Sequence, residues 1–153
     1  MNPYDADIVV WSERQGELLR RRAAGDLVNE TELDWVNIAE EIESSGRTER
    51  SALRSHIATV LEHLIKLQAS AATDPRNGCK ETINRARDDI DRALIDSPSM
   101  RRLVAGIIAA ETPRSARQVT RSLALHGEQS VVDVASLTFT EDQVLADWFP
   151  ASA

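Results

Sequence analysis

Between Thr48 and Pro75 the chain carries no glycine or proline, and across that stretch Leu53, Ile57, Val60, Leu61, Leu64 and Leu67 recur at three- and four-residue intervals. That spacing lays the apolar side chains along one stripe of a helix with 3.6 residues per turn and is incompatible with the two-residue period of a strand. A chain with so long an uninterrupted stripe builds around a central helix, and the remaining segments have to supply the helices that cover it.

They carry the same period. Tyr4, Ile8, Trp11, Gln15 and Leu18 predict a first helix to about Arg22, broken by Ala24, Gly25 and Asp26. Asn29 with Glu32 has capping-box spacing ahead of a second helix whose stripe is Leu33, Val36, Ala39 and Ile42, and Ser44, Ser45 and Gly46 mark its end or a kink. Asp74 and Pro75 read as the cap and first turn of a helix bearing Cys79, Ile83, Ala86, Ile90 and Leu94. Asp96, Ser97 and Pro98 repeat that stop and start, with Ser97 and Ser99 as capping residues, before Met100, Leu103, Val104, Ile107 and Ile108. Pro113 kinks or breaks this last pattern, which resumes at Ala116, Val119, Leu123 and Ala124 and stops at Gly127. In the tail Thr140 and Gln143 have capping-box spacing for one short terminal helix closed by Pro150. Only Val131, Val132 and Val134 favour a strand, and a single such run has no partner to pair with.

The expected fold is therefore all-α: one domain over residues 1–153, a bundle of about five to six antiparallel helices with a short C-terminal helix, residues 128–153 being less regular. Its 153 residues, 42% apolar, are enough for one core. No apolar run approaches the ~20 residues of a spanning helix, and the first residues lack the basic-then-apolar order of a secretory leader, so no membrane association and a cytoplasmic location are expected. Cys79 is the only cysteine, which excludes an intrachain disulfide and a cysteine-rich zinc site.

The polar residues group in two places. Asp34, Asn37 and Glu41 share one face of the second helix, Glu40 and Glu43 another, and His56 and His63 lie two turns apart on the central helix. If those two helices pack antiparallel, Glu41 and His63 meet in the interior, and Glu40, Glu41, His56 and His63 become a candidate ligand set for a divalent metal. The pattern lacks the repeated Glu and His three apart of di-iron bundles. The competing reading, an ionic network with Arg47, Arg50 or Arg54, is the commoner use of such residues. Charge is also segregated: residues 1–75 sum to -6, residues 76–127 to +4 and residues 128–153 to -5, within a total of -7. Arg114, Arg117 and Arg121 form one basic stripe, with Arg101 and Arg102 a few turns earlier. Arginine forks suit phosphate oxygens, but the acidic total and the lack of interleaved aromatics weigh against nucleic acid. Cys79 reads as a small buried hydrophobe rather than a nucleophile, and Trp11, Trp35 and Trp148 as core or edge anchors.

The order of motifs resembles a bacterial family known as domain of unknown function 29. It is carried by Tyr4 and Trp11, Asp34-Trp35-Val36-Asn37-Ile38-Ala39-Glu40-Glu41-Ile42-Glu43, Gly46-Arg47, His63-Leu64-Ile65-Lys66, Asp96-Ser97-Pro98-Ser99-Met100, and Phe139-Thr140-Glu141-Asp142-Gln143-Val144-Leu145 with Phe149-Pro150. The resemblance implies a compact all-α fold in a cytoplasmic bacterial protein, with no established activity, substrate or cofactor. Carried over, the family's recurrent positions are Asp34, Asn37, Glu40, Glu41, Gly46, His63, Lys66 and Pro98. The sequence departs at Cys79, where the family has tryptophan, and over Val131 to Leu137, where its approach to the last helix contains proline.

No complete catalytic set is present, and no catalysis is assigned. The leading expectation is a module that binds a protein partner or a second copy of itself, using the acidic second helix and the arginine stripe, with Asp34, Asn37, Glu40, Glu41, His63 and Lys66 as its candidate polar cluster and no cofactor. The alternatives are a metal protein using Glu40, Glu41, His56 and His63, and a nucleic-acid binder using Arg114, Arg117 and Arg121.

Overall fold

A computed structural model describes residues 3–72 and 76–151. The chain is all-α: α1 (Pro3–Ala6), α2 (Ile8–Ala23), α3 (Trp35–Ala69), α4 (Arg76–Asp96), α5 (Val104–Leu125) and α6 (Glu141–Leu145), with 3-10 turns at Glu30–Glu32, Pro98–Leu103 and Val134–Ser136. No strand occurs among the described residues. Residues 1–48 and residues 49–153 form two compact units.

In the first unit, Asp7 caps α2 by accepting from the backbone N–H groups of Val9 and Val10 at 3.0 and 3.1 Å. The helix ends at Gly25, whose φ of 88° lets the Gly25 and Asp26 N–H groups turn back onto the carbonyls of Arg22 and Arg21. Asn29 caps a short 3-10 turn instead of the expected helix, accepting from Thr31 N–H and hydroxyl, so the second helix begins later, behind Asp34. The core of this unit is Trp11, Leu18, Leu33 and Ile38, with Tyr4, Leu19 and Val28 against it.

The expected stop at Ser44-Ser45-Gly46 does not occur. α3 runs through it and fuses the predicted second and central helices, because Gly46 keeps an ordinary negative φ and one interior glycine costs only about 1 kcal/mol against a long hydrogen-bonded run.

The second unit buries Leu53, Ile57, Val60, Leu61 and Leu64 completely, against Ile83 and Ile90 of α4, Val104 and Ile108 of α5, and Val144 of α6. Ile65 and Ala69 face the other way, into Ala116, Val119, Leu123 and Val134. Each such aliphatic side chain contributes roughly 1.5–3 kcal/mol of transfer free energy. The predicted Asp74-Pro75 cap lies outside the described residues. α4 stops at Asp96 as expected, but Ser97 makes no side-chain cap bond, and the chain passes through the Pro98–Leu103 turn before α5. α5 continues through Pro113 without a break. Pro113 and Ala109, four residues before it, are both exposed, so the carbonyl that proline leaves without its usual donor sits on the wet side of the helix. Gly127, at φ 69°, closes α5 with the Gly127 and Glu128 N–H groups on the carbonyls of Ala124 and Leu123. The predicted capping box of α6 forms in full: Thr140 accepts from Gln143 N–H at 3.2 Å, and the Gln143 side chain accepts from Thr140 N–H at 3.0 Å.

What fastens this short helix is Arg87 of α4. Its buried guanidinium donates to the carbonyls of Val144 at 2.9 Å, Gln143 at 2.9 Å and Trp148 at 2.7 Å, and lies 5.1 Å from the centre of the Phe149 ring. Replacing Arg87 by Met keeps the packed stem and strands three carbonyls without donors. R87M should lose about 2–4 kcal/mol in urea unfolding and open residues 137–151 to limited proteolysis; an unchanged midpoint with a resistant tail would refute the clamp.

Candidate functional site

The recurrent polar residues divide between the two units. In the first, Asp34 is the pivot. It immediately precedes α3, and its carboxylate accepts from Asn37 Nδ2 at 2.7 Å, from Asn37 N–H at 3.4 Å and from Trp11 Nε1 at 3.2 Å. Gln15 completes the join, its Oε1 accepting from Asp34 N–H at 3.0 Å and its Nε2 donating to the Glu32 carbonyl at 3.1 Å. The Asn37 amide, with lesser help from Trp11, holds the Asp34 carboxyl below the usual range against the opposing effect of burial. Further along α3, Tyr4 Oη donates to Glu41 Oε1 at 2.6 Å, and the accepting carboxylate pushes the phenol pKa up to about 12. The Tyr4 ring meets the Trp11 edge at 4.9 Å and 78°. Asp34, Asn37 and Glu41 are thus engaged within the unit, whereas Glu40 is exposed.

This corrects the metal reading. Glu40, Glu41 and His63 do not belong to two separate helices, as that reading required: all three lie in α3. His56 faces Asp89 of α4 at 3.7 Å. Among the described residues no group of three or more His, Cys, Asp or Glu side chains could hold a metal ion.

His63 and Lys66 instead line a cavity of about 550 Å³ in the second unit, walled also by Arg76, Cys79, Ser122 and His126. Burial, and then the charge of Lys66, holds the His63 imidazole below its usual pKa, and its buried Nδ1 has no hydrogen-bond partner among the described residues. Lys66 donates to Glu62 at 2.9 Å. His126 meets the Ser122 carbonyl through Nδ1 at 2.8 Å, so that nitrogen is the donor and Nε2 is left for other partners. Burial pushes the Cys79 thiol up, against the pull of Lys66 and Arg76. It stays a neutral thiol packed on the core, as read from the sequence.

On α5 the basic stripe is partly consumed. Arg114 donates to buried Glu111 at 3.1 Å, and Glu111 also faces Arg54 at 3.7 Å; Arg117 and Arg121 are exposed. The second departure is the apolar stripe of the acidic segment. Leu33 is buried, but Val36 is 77% exposed, Ile42 70% and Trp35 48%, and Ala39 is exposed as well. Ile38 takes the core position instead. Ile38 packs with Trp11 and Leu18 of α2 and Glu41 meets Tyr4 of α1, which leaves 35, 39 and 42 as an apolar row without cover in this unit.

Gln15, Arg76, Arg87 and His126 carried no local signal that sequence reasoning could use. Gln15 stood among the apolar positions of the first helix, and Arg87 is one of 16 arginines with nothing near it to mark it as buried. His126 sits at the end of α5 beside Gly127, where a helix-stop reading absorbs it.

The family model described as "Domain of unknown function DUF29" matches residues 3–149. Comparison with curated proteins and with solved structures gives no match. No helix among the described residues is long and apolar enough to cross a membrane.

The Asp34 geometry generates a pH test. Because the folded-state pKa lies below the unfolded value, the carboxylate's contribution is complete above about pH 4 and is lost as pH falls through the folded pKa. Asp34→Asn retains an acceptor but does not titrate. The thermal midpoint of wild type should exceed that of D34N at pH 7, and the gap should close as the pH is lowered below about 4; a gap that does not change with pH would rule out the charged cap.

Proposed function

The chain belongs to the family described as Domain of unknown function DUF29, and from that premise we propose that it is a protein-binding module of the bacterial cytoplasm, with no catalysis of its own. The observation that carries the reading is the uncovered apolar row Trp35, Ala39 and Ile42 on the first turns of α3, with Val36 beside it. A helix presents such a row to water at a free-energy cost, and large apolar side chains in one patch mark a surface that functions when covered.

The occupant is an amphipathic helix of a partner protein with basic flanks. Residues 1–48 carry 11 acidic and 5 basic side chains, a net charge of -6, and exposed Glu40 and Glu43 border the apolar row. A second copy would bring the same acidic border to the same place, which like-charge repulsion opposes, whereas Lys or Arg flanking an apolar stripe complements it.

A designed Leu/Lys amphipathic peptide is the probe, read by Trp35 emission with Trp35→Phe as the blank. We expect a saturable blue shift, weakened by salt, absent with a Leu/Glu peptide of the same pattern, and weakened at least tenfold by Ile42→Asp. That variant makes the face more acidic, so unimpaired binding would expose mere charge attraction and sink the proposal, as would no shift at all. A blue shift that grows with protein concentration alone, with a dimer in sedimentation, would assign the face to a second copy instead.

A further inference from the structure

We propose that the cavity of the second unit binds a small organic molecule through an anionic group, a phosphate or a carboxylate, held by Arg76 and Lys66 with His63 and His126 alongside. At about 550 Å³ the space falls in the range of small-molecule sites, and its wall is apolar at Leu67 and Leu123 with a few convergent polar groups, the composition such sites share. Two of its cations are placed for an anion. Arg76 makes no ion pair with any described residue, and Lys66 reaches only Glu62 on its own helix.

His63 contributes its ring to the wall, and His126 leaves a nitrogen free for a ligand. His126 is tied through Nδ1 to the Ser122 carbonyl, leaving its Nε2 for a ligand oxygen. Among the described residues the wall holds one carboxylate, Glu128, which accepts from Ser70 at 2.7 Å, against the two cations Lys66 and Arg76. An arginine fork, a lysine point charge and imidazole donors form a set suited to oxyanions and ill suited to a cation. The apolar wall calls for an organic body behind the anion. The assignment is independent of the apolar row of the first unit.

The chain has only three histidines, so each ring gives a resolvable Cε1–H signal, and His56, which is not part of the cavity wall, serves as the internal control. The full chain is titrated at low salt with inorganic phosphate and, separately, with succinate. The expected result is a saturable shift of the His63 and His126 signals with a fixed His56, and slower alkylation of Cys79 by a small maleimide in the presence of the effective anion. Arg76→Gln, at a half-exposed position without an internal ion pair, should keep the wild-type melting temperature and weaken the response at least tenfold; His126→Gln should weaken it while leaving the His63 shift detectable. A response to phosphate alone identifies a phosphate ligand, and a response to succinate alone a carboxylate. No shift with either anion, a joint unsaturating drift of all three histidines, or full binding by folded Arg76→Gln would overturn the proposal.

Discussion

The constraint on which the second unit rests is that α3 between Leu53 and Ala69 is apolar on more than one face. Leu53, Ile57, Val60, Leu61 and Leu64 form one buried row, and Ile65 with Ala69 forms another toward α5 and Val134. A helix of that kind needs cover on several sides at once, which a single neighbouring helix cannot provide. α4 and α5 supply most of it, and the last gap is filled by Val144 of a helix only five residues long. A five-residue helix has almost no stability of its own, so the cover holds only because something outside the helix fixes it.

That something is chemically specific. Thr140 and Gln143 satisfy the N-terminal end of α6 from within, and Arg87 satisfies carbonyls at its C-terminal end and beyond from α4. Hydrophobic burial is indifferent to register, but a planar guanidinium that must meet the carbonyls of Gln143, Val144 and Trp148 admits one placement of the tail. Apolar area and hydrogen-bond geometry therefore have separate parts here, with Val144 supplying the area and Arg87 deciding where it goes.

The same division explains what could be read in the sequence. Periodicity is a local signal, so the helices over Leu53–Leu67, Ile83–Leu94 and Val104–Leu123 were legible, as was the Thr140 capping box, whose partners are three residues apart. Punctuation was less so. Gly46 and Pro113 disfavour helix interiors by a fixed local amount, and that amount is small beside a continuous hydrogen-bond ladder and, at Pro113, an exposed side where the carbonyl can meet water. The start of α3 moved from behind Asn29 to behind Asp34 because Trp11 and Gln15 of α2 reach Asp34, a contact across the chain that no spacing rule contains. Within that helix Ile38 is buried, and Val36, Ala39 and Ile42 are exposed.

The candidate polar cluster follows the same logic one level higher. Asp34, Asn37, Glu40, Glu41, His63 and Lys66 were grouped on the expectation of two separate helices, whereas residues 35–69 form one, α3. What remains are two separate demands on polar residues. Asp34, Asn37 and Glu41 are consumed by partners within their unit: a helix start, an indole and a phenol. His63 and Lys66 stand instead on the wall of a cavity, with Arg76 and His126. A polar side chain whose bonds are all made internally is explained by folding. A cation such as Arg76, which no described residue pairs and which stands with Lys66 and His126 on the cavity wall, has no such account, and that directs the search for function in the second unit to the cavity and not to the glutamates with which the sequence had grouped His63.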